Sequence, residues 1–152
     1  MSTPQIHSSS AAPLGLPLYG ASLGAAVRRV FAKYATFTGR ASRSEFWWWY
    51  LIVVVVVVAL YTLALVTGGA GQVAADGTVE PPRIGFYICF ALLWLFLLVS
   101  AVPTIALFVR RLHDSNLSGF FAFLVFVPIV NGLIVLILAV RLSVPEGARF
   151  DR

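Results

Sequence analysis

Residues 46–67 read FWWWYLIVVVVVVALYTLALVT and contain no charged side chain. This stretch is longer than the roughly 20 residues that a helix needs to cross a hydrocarbon core of about 30 Å. Two further uncharged stretches follow, at 84–109 and 119–140. Valine runs favour strands in water, but in lipid each segment must pair its own backbone polar groups. The sequence therefore predicts an all-α integral membrane helical bundle with about three transmembrane helices.

The composition supports this class and excludes several others. The chain has 152 residues, of which 60% are hydrophobic and only 11% are charged, which is unusual for a soluble domain. Cys89 is the only cysteine, so an internal disulfide and a multi-cysteine metal site are excluded. Residues 1–17 are rich in serine and proline and predict a disordered tail, which leaves residues 18–152 as one membrane domain.

Residues 23–37 predict an amphipathic helix before the first span. An apolar face is set against a basic face at helical spacing, formed respectively by Leu23, Val27, Val30, Phe31 and Tyr34 and by Arg28, Arg29 and Lys33. The pattern is typical of a helix lying in the membrane interface. A helix that packs on the bundle is the alternative, and the two interpretations are compatible.

The distribution of basic residues predicts the orientation. With three crossings, most of the eleven lysines and arginines fall on the side of the N-terminus, so the positive-inside rule predicts a cytoplasmic N-terminus and an external C-terminus. Pro128 and Asn131-Gly132 interrupt the third stretch, and a re-entrant hairpin there would return the C-terminus to the cytoplasm. Pro103 predicts a kink in the second helix or its end.

Two polar signatures stand at the edges of the apolar stretches. The first, GRASRSEFW at 39–47, contains Ser42 and Glu45 in the spacing of a capping box, in which each side chain binds the other residue's backbone amide. Gly39 is expected to supply the turn into the first span. The aromatic residues 47–50 are expected at the headgroup level, where Arg40 and Arg43 would meet lipid phosphates.

The second signature, RRLHDSN at 110–116, follows the second span. Basic residues there complement the helix dipole, but that effect does not explain His113 and Asp114. If the two signatures meet, Glu45 is expected to pair with Arg110 or Arg111, and Asp114 with Arg40 or Arg43. Such pairs would form a clamp between the first span and the connection before the third.

Chemical alternatives for the second signature are weaker. His113 beside Asp114 has the elements of a proton relay, and Ser118 would complete a hydrolase triad. However, no nucleophile-elbow motif accompanies them, and one histidine with scattered carboxylates does not make a metal site. The net charge of +5 is explained by arginines that flank the spans, so nucleic-acid binding is not expected.

The two signatures together resemble a known family. Residues 37–47, FTGRASRSEFW, and 109–115, VRRLHDS, followed by Ser118-Gly119, are similar to the bacterial inner-membrane family catalogued as domain of unknown function 805 (DUF805). The resemblance extends from Leu18 to the C-terminus, although the Gly-Pro-rich ending of the family is shortened here. It implies a small multi-pass protein of the bacterial cytoplasmic membrane, and it implies no reaction.

Two functional hypotheses remain. The first is a membrane protein without enzymatic activity or cofactor that works through contacts with lipids, a second copy of the chain or another membrane protein. Its candidate binding or clamp residues are Arg40, Arg43, Glu45, Arg110, Arg111, His113 and Asp114. The second hypothesis is a small transporter or channel subunit that works as an oligomer, with the interrupted helices lining a path.

Overall fold

The chain folds as an all-α protein, as predicted. The structure, a computed structural model, describes residues 13–69, 73–126, 137, 141 and 143–151. Three α-helices are described, followed by two short 3₁₀ helices. They are α1 (Leu23–Ala32), α2 (Arg43–Gly68), α3 (Ile84–Asp114) and the 3₁₀ helices Gly119–Phe126 and Pro145–Phe150.

Helix α2 contains the stretch that predicted the fold, and its whole valine run is helical. The helix begins three residues before the predicted Phe46 because Ser42 caps it. Only 6% of its most apolar 18-residue window is buried inside the protein, and Val55, Val58 and Val66 are among its most exposed side chains. An apolar helix with so little internal burial requires an apolar surrounding.

Helix α3 runs five residues beyond the predicted Val109, so residues 110–114 of the second signature belong to its last turns. It continues through Pro103, so it does not end at this proline. Its end is a Schellman motif: the amides of Asn116 and Leu117 donate to the carbonyls of His113 and Leu112, and Asn116 has φ 57°. Asparagine tolerates this left-handed conformation, so the helix stops there.

The predicted basic face of α1 is wrong for two of its three cations, whereas the exposed apolar side chains do not contradict the predicted lipid-facing side. Arg29 and Lys33 are buried, whereas Leu23 and Phe31 are exposed. Val30, by contrast, is buried. The alternative interpretation, a helix that packs on the rest of the protein, describes the basic side of α1 better, because Arg29 pairs with Glu45 inside the fold.

The described residues form two units, and the chain passes from one to the other after Tyr50 and again after Ala101. The first unit comprises the residues up to Tyr50 and those from Val102 onwards, and the second runs from Leu51 to Ala101. Within the second unit, the end of α2 and the start of α3 touch closely. A Cβ on Gly68 would lie 2.5 Å from the Phe86 amide nitrogen, and one on Gly85 would lie 2.9 Å from the Thr67 hydroxyl.

The third predicted span, residues 119–140, lies mostly outside the described residues. Its described start, Gly119–Phe126, is a 3₁₀ helix and not an α-helix. Among the described residues, two helices are long and apolar enough to cross a membrane, namely α2 and α3.

The described residues near the C-terminus contradict the predicted external C-terminus. The Gly39 amide donates to the Phe150 carbonyl at 2.8 Å, and the Val144 amide donates to the Asp114 carbonyl at 3.1 Å. Residues 143–151 therefore lie beside the start of α2 and the end of α3. A single crossing between Gly119 and Arg141 would separate these groups by a hydrocarbon core of about 30 Å. The return of the chain to the same side, as the hairpin alternative proposed, fits these contacts.

This arrangement predicts the outcome of a topology experiment. Side-specific reporters fused before Met1 and after Arg152 should be active on the same side of the membrane, because the described residues nearest to both positions, 13–50 and 143–151, belong to the first unit. A reporter inserted at Gly77, between α2 and α3, should be active on the other side and serves as the control. Opposite activities at the two ends would contradict the contacts between residues 39–40 and 150–151.

Candidate functional site

Glu45 organises the start of α2. Its carboxylate accepts from the Ser42 amide at 2.8 Å, and the Ser42 hydroxyl accepts from the Glu45 amide at 3.2 Å. The capping box predicted from the sequence is thus confirmed. The same carboxylate also accepts from the Leu18 amide at 3.4 Å and from Arg29 Nε at 2.5 Å. With only 3% of its surface exposed, Glu45 joins three separate parts of the chain.

Arg29 extends this network to the segment before α1. Its guanidinium donates to the carbonyl oxygen of Leu16 and, at 3.4 Å, to those of Leu14 and Pro13. These contacts hold residues 13–16, which the sequence assigned to a disordered tail of residues 1–17. The first twelve residues of that predicted tail lie outside the described residues. Because an arginine has five donors in a rigid fork, one side chain can bind both the carboxylate and the carbonyl oxygens.

The direct ion pairs expected between the two signatures are wrong. Glu45 pairs with Arg29, not with Arg110 or Arg111. Asp114 pairs with Arg111 of its own helix, and Arg40 pairs with a third residue, Asp151. The charged groups do lie in one unit, but none of these ion pairs joins the first signature to the second.

Asp114 is the second buried carboxylate of the unit. It is fully buried and accepts from the Arg111 guanidinium and from the Ser143 hydroxyl, and Tyr19 donates to it at 3.4 Å. Arg111 also donates to the Arg141 carbonyl. Asp114 and Arg111 thereby connect the end of α3 with the residues that return near the C-terminus.

Arg110 carries an unsatisfied donor. Its Nε donates to the Ala106 carbonyl at 3.1 Å, while its Nη2 is buried and has no hydrogen-bond partner among the described residues. Lys33 and Arg29 lie near enough to act on it electrostatically, and so does Glu45. Three buried cations therefore share the neighbourhood of one carboxylate.

The excess of positive charge is visible at Lys33. Burial lowers the pKa of Lys33 from 10.5 to about 8, and the positive charges of Arg110 and Arg29 act in the same direction, against Glu45 and Asp151. Loss of hydration disfavours the charged amine, as do like charges nearby. Lys33 was not predicted as a site residue, because the helical pattern of α1 assigns it to the basic face together with Arg28 and Arg29.

Arg40 and Asp151 fasten the C-terminal 3₁₀ helix. The guanidinium binds the carboxylate through two nitrogens, at 2.6–3.0 Å, and this pairing raises the pKa of Arg40. Gly147 makes the close approach feasible, since a Cβ there would lie 2.5 Å from the His113 carbonyl. Gly39 has φ 79°, which suits glycine and confirms the predicted turn.

His113 is held by groups other than Asp114. Its Nδ1 lies 3.2 Å from the Gly39 carbonyl, and its ring stacks on Phe150 with a centroid distance of 4.1 Å and an interplanar angle of 5°. The proton-relay alternative needs the imidazole to be oriented by Asp114. That carboxylate binds Arg111 and Ser143 instead, so this His–Asp pair does not have relay geometry.

The aromatic residues at the start of α2 divide into two groups. Trp47 and Tyr50 are exposed, as expected of interfacial anchors. Trp49 is buried, packs edge-on against Phe31 at 5.6 Å and donates to the Thr104 hydroxyl at 2.9 Å. Arg43, at the first position of the helix, is exposed.

The seven predicted site residues differ in their exposure to solvent. Six of them are partly or fully buried in the network just described, and only Arg43 is exposed. Five further residues take part in this network and were not among the predicted site residues: Tyr19, Arg29, Lys33, Ser143 and Asp151. In the described part of the chain, no group of three His, Cys, Asp or Glu residues could hold a metal ion.

Comparison with known proteins gives one family. The family model described as a protein of unknown function, DUF805, matches residues 34–152. The inner membrane protein YhaI of Escherichia coli K12 is 33% identical over 108 residues, which cover 71% of this chain and 76% of the relative. The protein of the same name from Escherichia coli O157:H7 has the same identity and coverage. No solved structure matches the chain.

The observed ion pair predicts a specific energetic coupling. In double-mutant cycles, Glu45→Gln and Arg29→Gln should be coupled by about 1–3 kcal/mol, because the two side chains are in contact in a buried network. Glu45→Gln and Arg111→Gln should show a much smaller coupling, since Arg111 pairs with Asp114. Free energies of unfolding in detergent micelles provide the measurement. A larger coupling with Arg111 would restore the pairing that the sequence suggested.

The low pKa of Lys33 predicts a pH-dependent stability. The unfolded chain, with a lysine pKa near 10.5, binds the proton more tightly than the folded protein, with a pKa of about 8. The free energy of unfolding should therefore rise between these pH values, by at most about 3 kcal/mol. In thermal unfolding, Lys33→Met should be stabilised relative to the wild type at pH 7, and this advantage should shrink towards pH 10.5.

Arg28→Met is the matched control for this experiment, because Arg28 is an exposed cation of the same helix. Its stability difference from the wild type should not change over the same pH range. A Lys33→Met difference that is constant with pH would contradict the assigned pKa.

Proposed function

This chain belongs to the DUF805 family, and we propose that it is an integral protein of the bacterial inner membrane that acts through contacts with lipids or a membrane partner. The proposal includes no enzymatic reaction and no cofactor. Its main support is the apolar surface of α2, which is almost entirely unburied within the protein. The relative's name, inner membrane protein YhaI, agrees with this location.

The distribution of charge supports a cytoplasmic position for the first unit. Among the described residues, every lysine and arginine except Arg83 belongs to this unit. With residues 143–151 on the same side as the start of α2, the charge bias is larger than three crossings would give. Basic residues accumulate on the cytoplasmic side of membrane proteins, so this unit is proposed to face the cytoplasm.

Arg43 and Arg28 are the arginines best placed for lipid headgroups. Both are exposed, and neither has an ion-pair partner among the described residues. Arg43 begins the apolar helix α2, one turn before the exposed Trp47, an amphipathic ring of the kind found at the membrane interface. By contrast, Arg40, Arg110 and Arg111 are engaged inside the unit. We therefore assign lipid contact to Arg28 and Arg43, and a structural role to the other three.

The transporter or channel alternative depended on a kink at Pro103 and a break at Asn131-Gly132 that would line a path in an oligomer. Pro103 lies in a continuous α3, and Asn131-Gly132 lies outside the described residues. No described feature favours a path through the protein over a surface that contacts lipid. Contact with lipids or a partner is therefore the function that we propose, and self-association remains compatible with it.

The lipid contact predicts the effect of one double variant. Arg28→Gln combined with Arg43→Gln should lose its preference for phosphatidylglycerol over phosphatidylcholine, by about fivefold per arginine, because each basic residue near an anionic surface contributes about 1 kcal/mol. Native mass spectrometry of lipids retained by the purified protein measures this preference.

Arg83→Gln is the matched control, since it removes one exposed arginine from the loop between α2 and α3. It should retain the wild-type preference. If the double variant also retained it, lipid contact at Arg28 and Arg43 would be rejected, and a protein partner would become the better explanation for their exposure.

A further inference from the structure

We propose that an open cleft beside His113 binds a phosphate group. The cleft has a volume of about 520 Å³ and is lined by Thr38, His113, Ser118, Arg149 and Phe150. All five residues belong to the first unit. The inference does not rest on lipid contact at Arg28 and Arg43, because those residues do not line the cleft.

The lining has the donors that a phosphate requires. Arg149 supplies a guanidinium, which can bind two phosphate oxygens at once, and Thr38 and Ser118 supply hydroxyl groups. The lining contains no carboxylate. The neighbouring Asp151 binds Arg40 through both of its oxygens, so its charge is already compensated. The cleft therefore presents an excess of positive charge.

Arg149 is held in place and still has free donors. Its guanidinium carbon lies 4.6 Å from the centroid of the Phe150 ring, a cation–π contact that restricts the side chain. In the part of the chain that the structure describes, Arg149 forms no ion pair. A guanidinium that is positioned by stacking loses less conformational entropy when it binds an anion.

The orientation of His113 adds a group that can share a proton with the ligand. The Gly39 carbonyl can only accept a hydrogen bond, so the imidazole carries a proton on Nδ1, which lies 3.2 Å from that oxygen. In the neutral ring this leaves Nε2 as the acceptor. A protonated oxygen of inorganic phosphate can donate a hydrogen bond to Nε2, and an anionic phosphodiester favours a ring that is protonated at Nε2. Either interaction changes the Nε2 resonance.

Gly119 leaves space next to this nitrogen. A Cβ at position 119 would lie 3.2 Å from His113 Nε2 and 3.0 Å from a methyl group of Val109. Those separations are close for a carbon atom, so a side chain at position 119 would crowd the nitrogen. The glycine thus keeps Nε2 available, and Phe150 covers the ring face.

A histidine NMR experiment tests the proposal directly. The sequence has two histidines, so His7→Asn leaves His113 as the only one, and its imidazole nitrogens can be observed in the full-length, ¹⁵N-histidine-labelled protein. Maltoside micelles provide a baseline without phosphate. One titration adds inorganic phosphate and a second adds phosphatidylglycerol, while chloride at equal ionic strength controls for screening.

The expected result is a saturable shift of the Nε2 resonance towards that of the protonated nitrogen, in at least one of the two titrations. The titration that responds identifies the source of the phosphate group. Arg149→Gln should weaken the apparent affinity at least about tenfold, because it removes a charged hydrogen-bond donor. Gly119→Ala should also weaken it. Arg141→Gln removes an exposed arginine of the same unit and should retain the wild-type affinity.

The Nδ1 resonance reports whether each variant keeps the His113–Gly39 hydrogen bond, so loss of binding can be separated from loss of structure. The absence of a shift in both titrations would overturn the proposal. So would an undiminished affinity in an Arg149→Gln variant with an unchanged Nδ1 resonance, or an equal shift with chloride. None of these outcomes depends on the lipid preference of the Arg28/Arg43 variant, so the two proposals can fail independently.

Discussion

Burial of charge at the end of apolar helices is the constraint on which the first unit depends. A buried guanidinium or carboxylate is costly unless it is paired and hydrogen-bonded. Glu45 meets this requirement for several groups at once, because it caps α2, binds Arg29 and accepts from the Leu18 amide. Its position at the first turn of α2 also complements the helix dipole. The segment before α1, α1 itself and the start of α2 are thereby held by one side chain.

The second carboxylate, Asp114, has the corresponding role at the end of α3. It binds Arg111 on its own helix and Ser143 from the returning chain. The result is two buried centres of negative charge, each surrounded by donors from distant parts of the sequence. This arrangement explains why Arg40, Arg110 and Arg111 of the two signatures are at least partly buried. Exposed arginines of the same unit, such as Arg28, Arg43 and Arg149, are the better candidates for external ligands.

Local rules predicted the elements of this fold well. The two long helices follow from uninterrupted apolar sequence, and the capping box and the Gly39 turn follow from residue types at adjacent positions. Partner choice was not predictable in this way. Arg29 lies on a helix whose periodicity resembled an interfacial helix, and nothing near Asp151 in the sequence indicates that it binds Arg40. Which of several nearby cations pairs with a carboxylate depends on the tertiary structure, and the spacing of residues along the sequence does not reveal it.

The side of the membrane on which the C-terminus lies was likewise not predictable from local sequence patterns. Counting apolar stretches predicted three crossings, whereas hydrogen bonds at Gly39 and Val144 place residues 143–151 beside the start of α2 and the end of α3. Charge counting had assigned the N-terminal residues and residues 141–152 to opposite sides of the membrane. The missing information was a set of contacts that join residues 143–151 to Gly39 and to Asp114.

The bond between Arg40 and Asp151 has a consequence for biogenesis. The two residues are separated by 111 positions, so the ribosome has made both long helices before this pair can form. Contacts between distant residues form late because chain closure costs entropy. During synthesis, Arg40 therefore lacks its Asp151 partner until the chain has been made up to residue 151. The assembled cluster of charges can therefore form only after both long helices have been made.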